Sequence, residues 1–325
     1  GWRGARLADV HARTSLCYDE QQKTWPKAQV RTRVLVENLS ATADLPLQVT
    51  FELTAPTGER LSVERGVAAQ PGLSPVDLEI AVPRPQLWWP RGLGDQPLYE
   101  VSVQLRNLAG KELDSRVFTY GLRTIEVDRT PLNESEELFA VCVNGERVFC
   151  RGANWIPADA ILARARAEKY EALVQHAADA NFNMLRVWGG GIYEHDAFYA
   201  ACDRLGILVW QDFMFSCAQY PDDDDEYCAE VRREAELAVR RLRLHACLAL
   251  WCGNNENNWG FDSWWPGKPA YGQRLYGQIL PAVCAQLDPD RFYWPSSPCG
   301  GPDPNSELAG DCHWWGNATM NPDMK

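Results

Sequence analysis

The chain has 325 residues, a net charge of −12 at pH 7 and 23% charged residues, a composition that is typical of globular proteins and excludes wholesale disorder. The acidic balance argues against a nucleic-acid partner, which would need a basic surface, and no apolar run is long enough for a membrane helix. The unusual feature is 14 tryptophans, which predict either a core packed with large aromatic side chains or a surface that stacks on flat ligands such as sugar rings.

The first third of the chain predicts β-strands. Apolar and polar residues alternate in VRTRVLVENLS, LQVTFELTA, VDLEIAVP and LYEVSVQLRN, which is the period of a half-buried strand. Turn-forming clusters separate these segments and no helical pattern interrupts them. The spacing therefore predicts a β-sandwich of about 100 residues.

After residue 123 the pattern changes to strands that alternate with amphipathic helices. The predicted strands are VFCRGANW, MLRVW, ILVWQDF, CLALWCG, FYWPSS and GDCHWW. This alternation predicts a parallel βα architecture. Polar and aromatic residues follow the predicted strands, and in a (β/α)8 barrel such strand ends meet on the face that carries the active site.

Glu256 is the first candidate catalytic residue, because it follows an apolar strand in WCGNNE. A carboxyl group that faces a pocket at this point is suited to general acid/base catalysis. Asn255 beside it has an amide that can bind a substrate hydroxyl. Arg186, at the end of MLRVW, can hold a carboxylate ionised and oriented. The structural alternatives are a solvated loop glutamate and an ion pair at the rim.

Aromatic and metal-ligating residues are harder to interpret. The tryptophans at 155, 188, 264 and 314 fit a sugar-stacking wall or core packing, and His313 fits a hydroxyl-binding or a structural role. The four aspartates at 222–225 lack the spacing of an EF-hand, and the 11 cysteines contain no C-x-x-C pair. The sequence therefore predicts no metal and no cofactor.

Several segments together resemble the β-mannosidases of glycoside hydrolase family two. They are LWWPRGLGDQPLYE, GLRTIE, RGANWIPADA, NMLRVWGGGIYEHDAFYAACDRLGILVWQDFMFSCAQYP and LALWCGNNEN. The resemblance implies a multidomain fold in which an immunoglobulin-like β-sandwich precedes an incomplete (β/α)8 TIM barrel. The implied domains are the tail of a jelly-roll domain at 1–12, the sandwich at 13–123, and a barrel at 124–325 that stops after about strand six.

The resemblance also implies a retaining mechanism with two glutamates. Glu256 matches the acid/base of the family, Asn255 contacts the 2-hydroxyl region of mannose, and Arg186 positions the nucleophile. Trp155, Trp188, Asp212, Trp264, His313 and Trp314 complete the implied substrate-binding set. The nucleophile, a glutamate after strand seven, is expected beyond residue 325, so residues 1–325 alone are expected to be inactive.

The function that follows is an exo-β-mannosidase that removes terminal non-reducing β-D-mannose from manno-oligosaccharides or N-glycan cores. The alternatives are a β-glucuronidase, β-galactosidase or exo-β-glucosaminidase of the same family, and a non-catalytic carbohydrate-binding protein. Free thiols favour a reducing cytoplasm, whereas sequons at Asn38, Asn133 and Asn317 would suit a lysosomal or secreted protein. The sequence leaves the oligomeric state open.

Overall fold

The structure is a computed structural model of the chain and describes residues 4–265, 267–301 and 303–314. Its residue contacts divide the chain into two compact units. The first unit comprises Gly1–Thr124, Tyr199–Ile207 and Arg240–Cys247. The second unit comprises Ile125–Phe198, Leu208–Val239 and Leu248–Lys325.

The first unit contains two antiparallel sheets. Its strands are β1 (Ala5–Asp19), β2 (Thr24–Asn38), β3 (Leu45–Thr54), β4 (Arg60–Ala69), β5 (Gly72–Pro83), β6 (Tyr99–Asn107) and β7 (Glu112–Tyr120). One sheet has the order β1-β2-β5 and the other has the order β4-β3-β6-β7. Every segment that the alternating pattern predicted to be a strand is a strand in these sheets.

The two sheets share one apolar core. Along β3 every second residue is buried, as the alternation of LPLQVTFELT requires. Val34 of β2, Phe51 of β3 and Val101 of β6 are all fully buried in the same cluster of side chains. The apolar residues of the alternating pattern therefore face the core, and the residues between them face the solvent.

The predicted boundary at residue 12 falls inside β1. Ala5 lies opposite Asn38 and Ala12 lies opposite Thr32, so that residues 5–12 are hydrogen-bonded to β2 along the whole segment. Ala5 and Leu7 are also buried in the shared core. Residues 5–12 are therefore part of this sheet and contribute to its core.

The second unit begins with a small antiparallel sheet in the order β10-β9-β8, followed by a parallel sheet. The strands of the small sheet are β8 (Ile125–Asp128), β9 (Ala140–Val143) and β10 (Glu146–Val148). The strands of the parallel sheet are β11 (Gly152–Trp155), β12 (Met184–Val187), β13 (Leu208–Asp212), β14 (Leu248–Cys252) and β15 (Phe292–Trp294), and their order in space is their order in the chain.

Helices follow the strands of the parallel sheet. They are α1 (Ala167–Asp179), α2 (Asp196–Leu205), α3 (Asp225–Leu242), α4 (Asn257–Ser263) and α5 (Leu280–Leu287). α1 buries Tyr170, Val174 and Ala178, which are spaced by four residues on one face. Among the described residues, no helix combines the length and hydropathy that a membrane span requires.

The sixth strand predicted in GDCHWW is wrong for the residues that the structure describes there. Asp311 makes a single antiparallel bridge to Cys299, and residues 312–314 form no strand. The Asp311 carboxylate accepts hydrogen bonds from the indole of Trp294 (2.6 Å) and the backbone N–H of Cys299 (3.1 Å). These bonds tie the segment back across the loop after β15, so that it cannot extend the parallel sheet.

Neighbouring strands of the first unit offer a test of its core. Val101→Ala removes two methyl groups from a fully buried site on β6, and we expect it to lower the free energy of unfolding by about 2 kcal/mol. Val117→Ala on β7 is the matched control, because Val117 is 63% exposed, and should cost less than about 0.5 kcal/mol. Urea unfolding measures both, and equal costs would contradict the assignment of the core.

Candidate active site

A cavity of about 680 Å³ lies at the carboxyl ends of the parallel strands. The register continues beyond the strands through parallel bridges of Asn255 to Ser216 and to Ser297. The loops after β13, β14 and β15 therefore meet at one edge of the sheet. The cavity is lined by Asn154, Ile156, Arg186, Trp188, Trp210, Cys217, Asn255, Glu256, Ser297, Asp311, Cys312, His313 and Trp314.

Glu256 is held firmly at the end of the loop that follows β14. Its backbone is left-handed, with φ of 64°, which is unfavourable for a residue other than glycine. The backbone N–H donates to the carbonyl of Ser297 at 2.7 Å and fixes this conformation. The residue is only 9% exposed, and it borders the cavity.

Two side chains contact the Glu256 carboxylate. Nδ1 of His313 lies 2.6 Å from Oε1, and the thiol of Cys217 donates to Oε2 at 3.4 Å. Burial raises the pKa of the Glu256 carboxyl. The hydrogen bond and charge of His313, the hydrogen bond from Cys217 and the charge of Arg186 lower this pKa, and together they outweigh the effect of burial. The net effect is a pKa below the usual value, so the group is a carboxylate at neutral pH.

Arg186 and Asp212 form a buried ion pair behind the cavity. Nε of Arg186 lies 3.2 Å from Oδ1 of Asp212, and Nη2 lies 2.8 Å from Oδ2. Asp212 also accepts the indole N–H of Trp210 at 2.9 Å and the backbone N–H of Gly189 at 3.0 Å. Asp212 is fully buried and lies outside the cavity lining, where its two bonds orient Arg186.

Arg186, held by Asp212, also contacts the residues around Glu256 and fixes their positions. Its Nη2 donates to Oδ1 of Asn255 at 3.0 Å, and its Nη1 lies 3.3 Å from Nε2 of His313. The amide nitrogen of Asn255 in turn donates to the hydroxyl of Ser216 at 3.2 Å. One guanidinium therefore fixes both neighbours of the candidate acid/base.

Gly189 is needed for a close approach and not for an unusual turn. A Cβ at this position would lie 2.4 Å from the carbonyl oxygen of Phe215 and 2.8 Å from that of Phe213. Its φ does not lie in the left-handed region, so the backbone conformation by itself does not require a glycine. The glycine allows the loop after β12 to lie directly against the loop after β13.

The structure brings six of the predicted site residues to the cavity and leaves three outside its lining. Those that line it are Arg186, Trp188, Asn255, Glu256, His313 and Trp314. Asp212 is buried behind Arg186, and the indole of Trp155 donates to Glu194 at 2.9 Å. Trp264 is 41% exposed and packs against Trp259 and Trp265, in α4 and just after it.

Several lining residues were missed by the sequence analysis. They are Ile156, Trp210, Cys217, Ser297, Asp311 and Cys312. The positions of Trp210 in β13 and Ser297 after β15 are signals that would have found them. Cys217 carries no such signal, because its left-handed backbone (φ of 48°) turns it toward the cavity.

One group of metal-ligating residues lies in the first unit. The ligand atoms of Asp203, His245 and Cys247 lie within 4.8 Å of one another. Oδ2 of Asp203 lies 2.6 Å from Nδ1 of His245, and Oδ1 accepts the backbone N–H of Cys247 at 2.8 Å. Burial raises the pKa of the Cys247 thiol well above its usual value. Hydrogen bonding within the group therefore accounts for its proximity.

Known proteins are similar in sequence to almost the whole of this chain. Residues 5–123 match the profile of Glycosyl hydrolases family 2. The chain is 36% identical to β-mannosidase B of Neosartorya fischeri, over 96% of this chain and 37% of that protein. It is also 36% identical to β-mannosidase of Bos taurus, over 92% of this chain and 35% of that protein.

A solved structure gives the same result. The crystal structure of β-D-mannosidase from Dictyoglomus thermophilum has a TM-score of 0.90 and 41% identity, over 97% of this chain and 38% of that one. The chain thus spans 37% of the length of the first relative and similar shares of the others. The resemblance seen in the sequence is confirmed: residues 5–123 match family 2 of the glycosyl hydrolases, and the chain is similar to β-mannosidases over nearly its whole length.

Proposed function

We propose that the protein carrying this chain is a retaining exo-β-mannosidase that hydrolyses terminal non-reducing β-D-mannose. The observation that carries the proposal is the strand-end cavity in which Glu256 lies beside Asn255, Arg186 and His313. Its similarity to β-mannosidases over nearly all of the chain supports the choice of sugar. Manno-oligosaccharides and N-glycan cores are the proposed natural substrates.

The proposal includes a finer description of the fold. Strands β1 to β7 would form an immunoglobulin-like β-sandwich, which is supported by their two antiparallel sheets around a single core. Residues 124–325 would be part of a (β/α)8 barrel, which is supported by parallel strands in chain order with helices between them. The proposed sandwich begins at β1 and not at residue 13.

Glu256 would act first as an acid and then as a base. Protonated Glu256 would donate to the leaving oxygen, and the carboxylate would then remove a proton from the attacking water. The low pKa of the carboxyl described above does not suit the first role. A second carboxylate about 5–5.5 Å away would raise it, because two like charges at that distance oppose joint ionisation.

The nucleophile would be a glutamate that follows residue 325. Asp311 is another carboxylate on the cavity, but its oxygens already accept hydrogen bonds from Trp294, Cys299 and Ser297. A carboxylate engaged in this way is a poor nucleophile. The proposal therefore assigns Asp311 no bond to the sugar.

The remaining lining residues would bind the sugar. The amide of Asn255 and the guanidinium of Arg186 lie beside Glu256, where hydroxyls of the bound mannose would face them. Trp188 and Trp314 border the same cavity and would stack on the ring. Trp155, Asp212 and Trp264 would act from outside the lining, Asp212 through Arg186.

A panel of nitrophenyl β-glycosides tests the substrate. We expect the protein to cleave the β-mannoside with the highest kcat/KM, because the chain is similar to β-mannosidases over nearly its whole length. The comparison sugars are β-glucoside, β-galactoside, β-glucuronide and β-glucosaminide. Preference for any of these would overturn the choice of mannose, and retained sugar binding without any cleavage would favour a carbohydrate-binding protein.

The role of Glu256 is tested by the dependence on the leaving group. Glu256→Gln keeps the size of the side chain and removes the transferable proton, so we expect kcat for a mannoside with a poor leaving group to fall about 10²- to 10⁴-fold. A dinitrophenyl mannoside leaves without protonation, so its first step should be spared. Glu226→Gln, on the exposed first turn of α3, is the control. Equal losses with both substrates would contradict the acid role.

The buried Arg186–Asp212 ion pair predicts that both the stability and the activity of the protein depend on the charge of Asp212. Asp212→Asn leaves a guanidinium that is 11% exposed without its counter-charge, at an expected cost of about 3–5 kcal/mol in unfolding free energy, with loss of activity. Asp77→Asn is the matched control, because its pair with Arg33 is exposed, and should cost less than about 1 kcal/mol. Urea unfolding compares the two, and a small cost at Asp212 would refute the assignment.

A further inference from the structure

The thiol of Cys217 contacts three polar side chains at the edge of the cavity. Its Sγ lies 3.4 Å from Oε2 of Glu256, 3.3 Å from the amide nitrogen of Asn255 and 3.4 Å from the hydroxyl of Ser216. Cys217 lines the cavity together with Asn255 and Glu256, and it is exposed there. A thiol has one weakly donated hydrogen, and its sulfur is a weak acceptor. The neighbour that receives this hydrogen determines what Cys217 does in the site.

Arg186 fixes which way round the amide of Asn255 lies. A guanidinium has only donors, so the Asn255 atom that lies 3.0 Å from Nη2 of Arg186 must be the amide oxygen. The NH₂ group therefore faces the loop after β13. Its two hydrogens are donated to Sγ of Cys217 at 3.3 Å and to the hydroxyl of Ser216 at 3.2 Å. Toward Asn255, the sulfur is thus an acceptor.

The other hydrogens of this group follow from that orientation. The hydroxyl of Ser216 accepts from Asn255 and donates its own hydrogen to Sγ of Cys217. The S–H hydrogen is left for Oε2 of Glu256, which as a carboxylate oxygen is purely an acceptor. Burial and the charge of Glu256 raise the pKa of the Cys217 thiol, so the sulfur keeps this hydrogen at neutral pH. Each hydrogen is then donated once, and each acceptor has a lone pair for it.

The two oxygens of the Glu256 carboxyl are held with unequal strength. Oε1 lies 2.6 Å from Nδ1 of His313, whereas Oε2 has the thiol of Cys217 at 3.4 Å. A substrate oxygen that approaches the carboxyl must displace one of these contacts. The thiol is the weaker donor and the longer contact, so it is displaced more easily. Oε2 is therefore the oxygen that is better suited to exchange a proton with the substrate.

We propose that Cys217 is a positioning residue whose S–H group holds Oε2 of Glu256 and releases it when a substrate oxygen takes its place. This inference rests on the proposed acid/base function of Glu256. The proton passes from Oε2 to the leaving oxygen and later from water back to Oε2, while Cys217 keeps its own hydrogen throughout. A hydroxyl in this place would be a stronger donor and would favour the ionised carboxylate, which opposes the acid role.

The hydrogen bond can be observed without an enzymatic assay. An S–H stretching band moves to lower frequency when the thiol donates a hydrogen bond, and the infrared difference between the unaltered protein and Cys217→Ala isolates one band among the 11 cysteines. We expect this band below that of the exposed Cys17, isolated with Cys17→Ala. In the Glu256→Gln background the Cys217 band should move to higher frequency, because the charged acceptor is lost. A band at the Cys17 frequency, or one that Glu256→Gln leaves in place, would overturn the proposal, whatever sugar the protein cleaves.

The pH profile tests whether the thiol acts on Glu256. Cys217→Ser supplies a stronger donor, which lowers the pKa of the carboxyl, so the basic limb of kcat/KM should move to lower pH. Cys217→Ala removes the donor that lowers this pKa, so its basic limb should move to higher pH. At its own optimum, Cys217→Ala should lose about fivefold in kcat on a mannoside with a poor leaving group, the effect of one weak hydrogen bond. A dinitrophenyl mannoside should be less affected.

Opposite movements of the two limbs are the signature of the proposal. The other charged or titratable groups around the carboxyl are His313 at Oε1, Arg186 beside His313, and Asp311 farther along the same loop, and both variants leave them unchanged. Cys17→Ser is the control, since Cys17 is an exposed cysteine of β1 outside the cavity lining, and its limb should stay in place. Limbs of the two Cys217 variants that move in the same direction, or a limb that does not move, would refute the proposal. Failure to cleave any mannoside would instead refute the proposed function, and the infrared bands would still decide the hydrogen bond.

Discussion

The ion pair of Arg186 and Asp212 is the interaction on which the candidate site depends. Two buried charges are costly to remove from water, and their attraction offsets this only when the geometry is good and the other hydrogen-bonding positions are filled. Here the Asp212 carboxylate receives N–H groups from the guanidinium, the Trp210 indole and the Gly189 backbone. Arg186 has little freedom left, and its remaining N–H groups meet Asn255 and His313 in fixed positions. The geometry around Glu256 is thus fixed by an ion pair that lies behind the cavity.

The parallel sheet explains why residues so far apart in sequence meet. Strands β12, β13 and β14 end at the same edge, and bridges from Asn255 to Ser216 and Ser297 carry the register into the loops. The strands are buried on both faces, so their positions are determined by apolar packing. The loops that follow the strands are held in place by this packing. A rigid sheet with variable loops is the arrangement in which catalytic groups are held with precision.

The strand-end rule explains what could be predicted from the sequence. It selected Arg186, Asn255 and Glu256, because an apolar run followed by a polar residue is visible in the sequence alone. It could not select Cys217 or Asp311, since a left-handed turn and an antiparallel bridge to Cys299 bring these residues to the cavity. The same bridge explains the error at GDCHWW, whose apolar and aromatic residues suggest a strand. Periodicity records which face of an element is buried, whereas loop paths depend on individual hydrogen bonds.

The left-handed backbones of Cys217 and Glu256 show how the two loops constrain each other. Each such residue costs about 1–3 kcal/mol relative to an ordinary conformation. The backbone N–H of Cys217 donates to the carbonyl of Asn255 at 3.0 Å, and that of Glu256 donates to Ser297 at 2.7 Å. Each strained residue is therefore locked by the loop of a neighbouring strand. A glycine at either position would relieve the strain, but it would also remove a side chain from the carboxylate contact. The contact between the Cys217 thiol and Oε2 of Glu256, at 3.4 Å, joins the side chains of these two strained residues.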